Sequence, residues 1–161
     1  MPGMADPHAA LLSFQQALAD GEIQLRPGEL DPKLFLYADQ PNGRARFTYV
    51  RLNNRTVTAF VNLAVADPIE GMPCFQIGYA VPEAFRGQGR AKDAVKAALA
   101  ELKNGIARAN ITTFYVEAVV GKDNEPSKHV AAATISSKAV EITDQDSGLP
   151  ALQYVRRIEA Q

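Results

Sequence analysis

The sequence predicts an α+β fold, a mixed and mostly antiparallel sheet flanked by helices, and three observations support this prediction. The chain has 161 residues, about the length of one domain and enough to bury its own core. Its first half alternates β-branched and aromatic stretches with turn residues, which is typical of antiparallel strands. Its second half twice places a helical pattern after an apolar stretch, which is typical of strand–helix units. We therefore expect a single domain over residues 1–161.

The first half predicts one helix followed by strands. Asp6 and Pro7 are typical of an N-cap and a first helical position, and Gly21 is typical of a helix end. Asn53-Asn54 between two strand patterns predicts a hairpin turn. The expected elements are a helix over 9–19 with Leu11, Leu12, Phe14 and Leu18 on its apolar side, strands over 34–37, 44–52, 56–66 and 74–81, and a loop over 67–71.

The second half contains the clearest helical pattern, over residues 91–106, where apolar residues recur at spacings of three and four. The face opposite these residues is expected to be exposed, and it carries Lys92, Asp93, Lys96, Glu101 and Lys103. A strand over 113–120 follows. A second helix is expected to start near Asn124 and to run past Ile135, and a last strand covers 152–158.

Composition limits the possible functions. Hydrophobic residues make up 47% of the chain and charged residues 22%, which is usual for a soluble globular protein. The formal net charge of −1 argues against a nucleic-acid binder that neutralises many phosphates. No stretch approaches the roughly 18 apolar residues that span a bilayer. We therefore expect neither a nucleic acid nor a membrane as a partner.

The single cysteine and the N-terminus indicate the compartment. Cys74 alone cannot form an intramolecular disulfide, which agrees with a cytoplasmic protein. Its place at the start of an apolar stretch favours packing over a nucleophilic role. Residues 1–7 have no basic start followed by an apolar run, so we expect no secretory signal there.

The most informative segment joins the strand over 74–81 to the helix over 91–106. It ends in Arg86-Gly87-Gln88-Gly89-Arg90-Ala91, which we call the glycine loop. Glycines let a backbone approach a ligand closely, because no Cβ is in the way. The first helical turn leaves N–H groups unpaired and carries partial positive charge, to which Arg86 and Arg90 add. These features predict a site for a phosphate-bearing ligand.

Spacing distinguishes three kinds of phosphate-binding loop. The Walker pattern G-x-x-x-x-G-K-[S/T] occurs nowhere in the chain. The dinucleotide pattern needs a third small residue where Lys92 stands, so a nucleotide-binding protein is disfavoured. The pattern R-x-x-G-x-[G/A] is satisfied by Arg86, Gly89 and Ala91. The segment therefore resembles the acyl-CoA pyrophosphate loop of the GNAT acetyltransferases.

A second segment extends this resemblance. Val120, Asn124 and Ser127 fit the family pattern V-x-x-x-N-x-x-S at the end of a strand. The distance from the glycine loop allows one helix and a return strand, as the fold requires. The resemblance is clear over residues 76–130, about a third of the chain, and is greatest to the ribosomal-protein N-terminal acetyltransferase branch.

The resemblance implies acetyl-CoA as co-substrate, a primary amine as acceptor (a protein N-terminus or a small molecule), direct transfer and no metal. The pantetheine arm of family members lies between two parallel central strands that splay apart, here over 76–81 and 113–120. Backbone groups of Ala80 and Val81 would hold the arm, and Asn124 would cap the next helix or touch the arm. The remaining implied cofactor residues are Arg86, Gly87, Gln88, Gly89, Arg90 and Ala91. A homodimer is compatible with the resemblance, because dimers are common in the family.

Acetyl transfer needs a neutral amine, a polarised thioester carbonyl and a proton for the departing thiolate. Glu117 is the predicted general base, because strand alternation turns it away from Val116 and Ala118 near the splayed end. The alternative is a solvated or ion-paired glutamate on a sheet face. Ser127 matches the position from which the related branch is thought to protonate the thiolate. Its alternative role is that of an ordinary hydroxyl in a first helical turn.

The chain also departs from the family pattern. Ala131 stands where many members carry a tyrosine, and the usual Gly-Phe near residues 135–136 is missing. These departures leave a second interpretation open, a non-catalytic acyl-CoA-binding regulatory module with a degenerate acceptor site. His129 is a weaker base candidate that we expect to face solvent. Tyr79 and Tyr154 are expected to be packing aromatics rather than acids.

Overall fold

The computed structural model describes residues 6–145 and 147–160. The expectation that residues 1–7 carry no secretory signal therefore lies mostly outside the described residues. Within them the chain forms three α-helices and one eight-stranded sheet. The helices are α1 (Pro7–Ala19), α2 (Arg90–Arg108) and α3 (Glu125–Thr134). The strands are β1 (Arg26–Pro27), β2 (Leu34–Asp39), β3 (Arg46–Asn53), β4 (Thr56–Ile69), β5 (Met72–Ala80), β6 (Thr113–Gly121), β7 (Ala139–Thr143) and β8 (Pro150–Glu159).

The sheet confirms the predicted fold class. Its strand order is β1-β2-β3-β4-β5-β6-β8-β7, and every neighbouring pair is antiparallel except β5 and β6, which are parallel. Parallel neighbours need a crossover connection, and α2 supplies it. The two central strands consequently end at the same edge of the sheet.

Helices cover both faces of the sheet. α2 and α3 pack on one face, and the core there includes Ala94, Ala98, Leu102, Ala131 and Ile135 together with Val61, Val116 and Ala118. α1 packs on the other face, where Leu11 and Leu18 contact Val50, Val57 and Phe60. Successive strand residues point to opposite faces, so the two clusters share strands without sharing side chains.

Helix α1 begins as expected but buries fewer residues than expected. The Asp6 side chain accepts the His8 N–H at 3.1 Å, and Pro7 occupies the first turn. Leu11 and Leu18 are buried, whereas Leu12 is 54% exposed. The prediction for Leu12 was wrong, because the residue after Leu11 is turned by about 100° around the helix axis, away from the sheet.

The prediction of a loop over residues 67–71, between β4 and β5, was wrong. β4 continues to Ile69, and only Glu70 and Gly71, with φ of 51° and 75°, form the turn. The pairing of β4 with β5 shifts register between Ala66 and Ile69. Such an irregularity tolerates Pro68, which cannot donate a ladder hydrogen bond.

Two strands and one helix end differ from the sequence prediction. The short edge strands β1 and β7 were not predicted, and β7 lacks the alternation of a half-buried strand because four of its five residues are exposed. α3 ends at Thr134 instead of running past Ile135. Within the described ranges, no helix combines the length and the apolar character needed to cross a membrane.

Glu101 is buried on α2, although its face was expected to be exposed. Its side chain is 7% exposed and accepts three backbone N–H groups, from Glu29 at 3.0 Å, Leu30 at 2.9 Å and Asp31 at 2.8 Å. The absence of a side chain at Gly28 makes this possible, since a Cβ there would lie 2.6 Å from a Glu101 oxygen. Glu101 therefore ties α2 to the loop before β2.

Candidate active site

The parallel central strands separate after three residue pairs. The last pair is Gln76 with Glu117, yet β5 continues to Ala80 and β6 to Gly121. Each strand stays paired with its outer neighbour, β5 with β4 and β6 with β8. We call the gap between residues 77–80 and 118–121 the cleft. Backbone groups that face it have no strand partner and can bond a ligand.

The glycine loop stands at the open end of the cleft. Gly87 and Gly89 have φ of 76° and 74°, a left-handed conformation that side chains disfavour. A Cβ at either position would meet no protein atom within 4 Å. The space before the loop is therefore open, as a site for an external group requires.

The first turn of α2 has no side-chain cap. Gly89 is its N-cap residue, so the N–H groups of this turn are satisfied by no cap side chain. Asp93 lies in the same turn, but its carboxylate is bonded by the Arg51 guanidinium, Nε to Oδ2 at 3.0 Å. This pairing offsets a negative charge that would oppose an anion at the helix start.

The two arginines of the loop are anchored by only part of their donor groups. Arg86 Nε donates to the Val81 carbonyl at 2.9 Å, and its Nη2 lies 3.4 Å from His8 Nδ1. Arg90 Nε donates to Gln88 Oε1 at 3.0 Å, and its guanidinium lies 5.1 Å from the centre of the Phe85 ring. A guanidinium has five N–H donors, so both side chains retain donors for a phosphate.

Glu117 lies at the closed end of the cleft. It is half-buried and accepts a hydrogen bond from Gln153 Nε2 at 2.5 Å. Val116 and Ala118 belong to the core beneath α2, so Glu117 points to the opposite face. Among the ion pairs formed by the described residues, none involves Glu117. Its oxygen is oriented by an amide, which leaves the carboxylate available to accept a proton.

The start of α3 forms the other side of the cleft. Asn124 Oδ1 accepts the Ser127 N–H at 3.3 Å, so Asn124 acts as the N-cap of α3. The Ser127 carbonyl accepts the Tyr79 hydroxyl at 2.7 Å. His129 is exposed on the same helix, as expected. Sequence reasoning treated Tyr79 as packing only and missed its hydrogen bond, because the two partners are 48 positions apart.

Cys74 is buried on β5 and forms the first of the three register pairs with β6, two pairs before Gln76. Burial, and then the negative charges of Glu117 and Asp67, raise the pKa of the Cys74 thiol to about 11. The thiol is therefore protonated at neutral pH and is a poor nucleophile. Its role is packing, as its sequence position indicated.

An open cavity of about 530 Å³ begins beyond Glu117 on the same face of the sheet. Val119 and Gly121 of β6 line it together with Ala151 of β8, and Asp123 and Asp144 lie at its edge. The sequence did not reveal this cavity, because it depends on the hairpin of β7 and β8. In residues 6–145 and 147–160, no cluster of three or more His, Cys, Asp or Glu side chains could hold a metal ion.

The mixed sheet, the cleft and the uncapped helix start define a GNAT-type domain. The chain belongs to the acetyltransferase (GNAT) family, whose model matches residues 13–133. No match was found among curated proteins.

Three solved structures illustrate the similarity of fold. A ribosomal L7/L12 alpha-N-protein acetyltransferase in complex with coenzyme A has 21% sequence identity and a TM-score of 0.53, covering 72% of this chain and 64% of that one. The ribosomal-protein-S5-alanine acetyltransferase from Vibrio fischeri has 16% identity and a TM-score of 0.51, covering 71% and 62%. A GNAT acetyltransferase from Streptococcus pneumoniae has 12% identity and a TM-score of 0.53, covering 96% of both chains.

These similarities support the fold. The chain spans less than two thirds of the length of the two ribosomal-protein acetyltransferases. Acetyltransferases of ribosomal proteins, the branch that the motifs suggested, are thus among the proteins of similar fold. The similarity of fold does not identify the amine acceptor of this chain.

Proposed function

We propose that this chain is an acetyl-CoA-dependent N-acetyltransferase that moves an acetyl group directly to a primary amine, at a protein N-terminus or on a small molecule. The observation that carries the proposal is the cleft between β5 and β6. Its open end meets the glycine loop, and a carboxylate, Glu117, stands at its closed end. Membership of the GNAT family supports acetyl transfer as the reaction.

The cofactor would lie along the cleft from the glycine loop inwards. N–H groups of residues 87–91 would bond the pyrophosphate, because the start of α2 has no cap of its own. Arg86 and Arg90 would add charge-assisted contacts from their remaining donors. Backbone groups of Ala80 and Val81 would hold the pantetheine arm as a strand would. This path brings the thioester towards Glu117.

The chemistry then follows from Glu117 at the closed end of the cleft and Ser127 at the start of α3. The amine nitrogen attacks the thioester carbonyl carbon, and the carboxylate of Glu117 takes a proton from that nitrogen. The carbon–sulfur bond breaks, and the thiolate takes a proton from Ser127, whose hydroxyl regains one from solvent. Backbone N–H groups of the β5 arm stabilise the oxyanion of the intermediate. The products are the acetylated amine and free coenzyme A.

The acceptor would enter from the face to which Glu117 points. The cavity of about 530 Å³ is lined by Val119, two residues after Glu117 on β6, and has the size of a small-molecule or short peptide site. Asp123 and Asp144 in its lining would attract a protonated amine before it is deprotonated, since the ammonium of Lys122, which also lines the cavity, is paired with Glu141. Gly121 and Ala151 leave room in the floor of the cavity for a substituent.

Isothermal titration with acetyl-CoA, with ATP and NAD as controls, tests the cofactor. We expect selective binding in the micromolar range, followed by coenzyme A release when amines and N-terminal peptides are supplied. Equal affinity for ATP or NAD would exclude the proposal that the glycine loop is specific for acetyl-CoA. Absence of acetyl-CoA binding would exclude the enzyme itself.

The second candidate is an acyl-CoA-binding regulatory module without turnover. It is favoured by Ala131, a fully buried residue at which a methyl group stands where many family members carry a hydroxyl. Coenzyme A release with a broad amine panel distinguishes the two functions. Release above the rate of spontaneous hydrolysis, lost in Glu117→Gln, would exclude the regulatory module.

The proposal includes a cytoplasmic location and a homodimer, as the sequence and the family resemblance suggest. The cleft is formed by strands of one chain, so it requires neither a partner subunit nor a particular compartment. Sedimentation equilibrium of the purified protein tests the dimer.

A further inference from the structure

We infer that Tyr79 is a positioning residue of the proposed acetyl transfer, because its hydroxyl holds the first turn of α3 across the cleft. Tyr79 belongs to the β5 arm, past the last pair with β6. Its hydroxyl donates to the carbonyl of Ser127, on the helix that follows the β6 arm, at 2.7 Å. One side-chain hydrogen bond therefore joins the two sides where strand pairing has ended. The inference rests on the proposed function for its catalytic consequence.

This hydrogen bond lies in an environment where it is strong. Tyr79 is 8% exposed and belongs to the main core cluster. Burial, and then the neighbouring Tyr154, raise the pKa of Tyr79 above its usual value, so the hydroxyl keeps its proton and remains a donor. Ala131, four residues after Ser127 on α3, is fully buried in the same core cluster.

The result is that Ser127 is held on both sides of its backbone. Its N–H is bonded by Asn124 and its carbonyl by Tyr79, at 3.3 Å and 2.7 Å. Among the described residues, no hydrogen bond of the Ser127 hydroxyl is observed. The backbone of Ser127 is thus fixed on both sides, while its hydroxyl is held by no described group. Tyr79 would act on the reaction through Ser127, without touching the reacting atoms.

The variant Tyr79→Phe removes only the hydroxyl. We expect kcat to fall about tenfold, while KM for acetyl-CoA, which is held by β5 and the glycine loop, changes less than about threefold. Tyr49→Phe is the matched control, because Tyr49 is also a buried tyrosine of the same core, on β3 and away from the cleft. The control should retain kcat with a comparable change in melting temperature.

A double-mutant cycle separates positioning from general packing. If Tyr79 acts through Ser127, then Tyr79→Phe should slow Ser127→Ala little further, less than about twofold. The inference would be overturned if the two substitutions lowered kcat independently, so that their fold-changes multiplied in the double variant. It would also be overturned if Tyr79→Phe left kcat unchanged or raised only KM.

Amide hydrogen exchange of the free protein tests whether the Tyr79 hydroxyl holds the first turn of α3, and it needs no activity assay. Tyr79→Phe should accelerate amide exchange over residues 127–131 at least about fivefold more than Tyr49→Phe does, since the tether of this turn is gone. Unchanged exchange there would overturn the inference even in an active enzyme. If the wild-type protein transfers no acetyl group while exchange accelerates as expected, the proposed function fails and the tether itself stands.

Discussion

Helices α2 and α3 begin at the same edge of the sheet, yet only α2 presents an open first turn. α2 begins at Gly89 in a left-handed conformation, with no side chain bonded to its N–H groups. α3 begins after Asn124, whose side chain accepts the Ser127 N–H. Both helix starts carry partial positive charge. The difference is that the N–H groups at the start of α2 remain free of a cap side chain, whereas α3 uses one of its own N–H groups in a cap.

An uncapped helix must be held by contacts elsewhere. For α2 these contacts include the three backbone N–H groups bonded by Glu101 and the pairing of Asp93 with Arg51. Arg51 also bonds Asp31 at 2.7 Å, in the loop that Glu101 holds. These contacts connect the middle and the start of α2 to one loop. They let the first turn stay open without loss of its position.

The largest expected effect is at the open helix start. Gly89→Trp should raise Kd for acetyl-CoA at least about 100-fold, since the indole would fill the space that the pyrophosphate needs. Gly21→Trp is the matched control, because Gly21 has the same φ of 74° and equally open surroundings at the end of α1. Titration calorimetry with melting temperatures measures both variants. Equal affinity of the two would show that the open turn binds no cofactor.

The next effect concerns the carboxylate of Glu117, at the closed end of the cleft. Glu117→Gln should lower kcat by about 100-fold at neutral pH and leave acetyl-CoA affinity unchanged. The glutamine amide does not take up the proton of the amine, so the wild type and the variant should differ in their pH–rate profiles. Glu83→Gln, an exposed carboxylate before the glycine loop, is the control. A pH–rate profile shared by wild type and Glu117→Gln would remove Glu117 as the base.

A smaller effect is expected at the anchor of α2. Glu101→Gln should lower the free energy of unfolding by about 1–3 kcal/mol, because an amide replaces a carboxylate that bonds three backbone N–H groups. Acetyl-CoA affinity should change little, as the anchor lies far along the helix from Gly89. Urea unfolding beside the exposed variant Glu22→Gln checks this. Loss of affinity without loss of stability would contradict the role of an anchor.

The smallest effect is expected at the capped helix start. Asn124→Ala should cost about 1 kcal/mol of stability and change acetyl-CoA affinity less than about threefold. Asn124→Ser retains a capping side chain and should restore most of the stability. If Asn124→Ser restored stability while the affinity stayed about tenfold weaker, Asn124 would contact the pantetheine arm as well.

Local features of the chain were predictable from the sequence. The starts of all three helices, the two glycines of the loop and the strands β3 to β6 followed from capping preferences, backbone freedom and periodicity. Each depends on residues within a few positions of one another. For the same reason, the spacing of arginine and glycine was enough to locate the open start of α2 at Arg86 to Ala91.

The tertiary structure decided the rest, because it depends on residues distant in sequence. Glu101 is buried by a loop some 70 positions away, and Tyr79 is bonded to Ser127 over 48 positions. The separation of β5 from β6 follows from the pairing of each strand with a different outer neighbour. The sequence alone predicted which residues would bind a phosphate and accept a proton. Only the packed sheet decided that a cleft joins them, since its width and position depend on strand pairing across the whole domain.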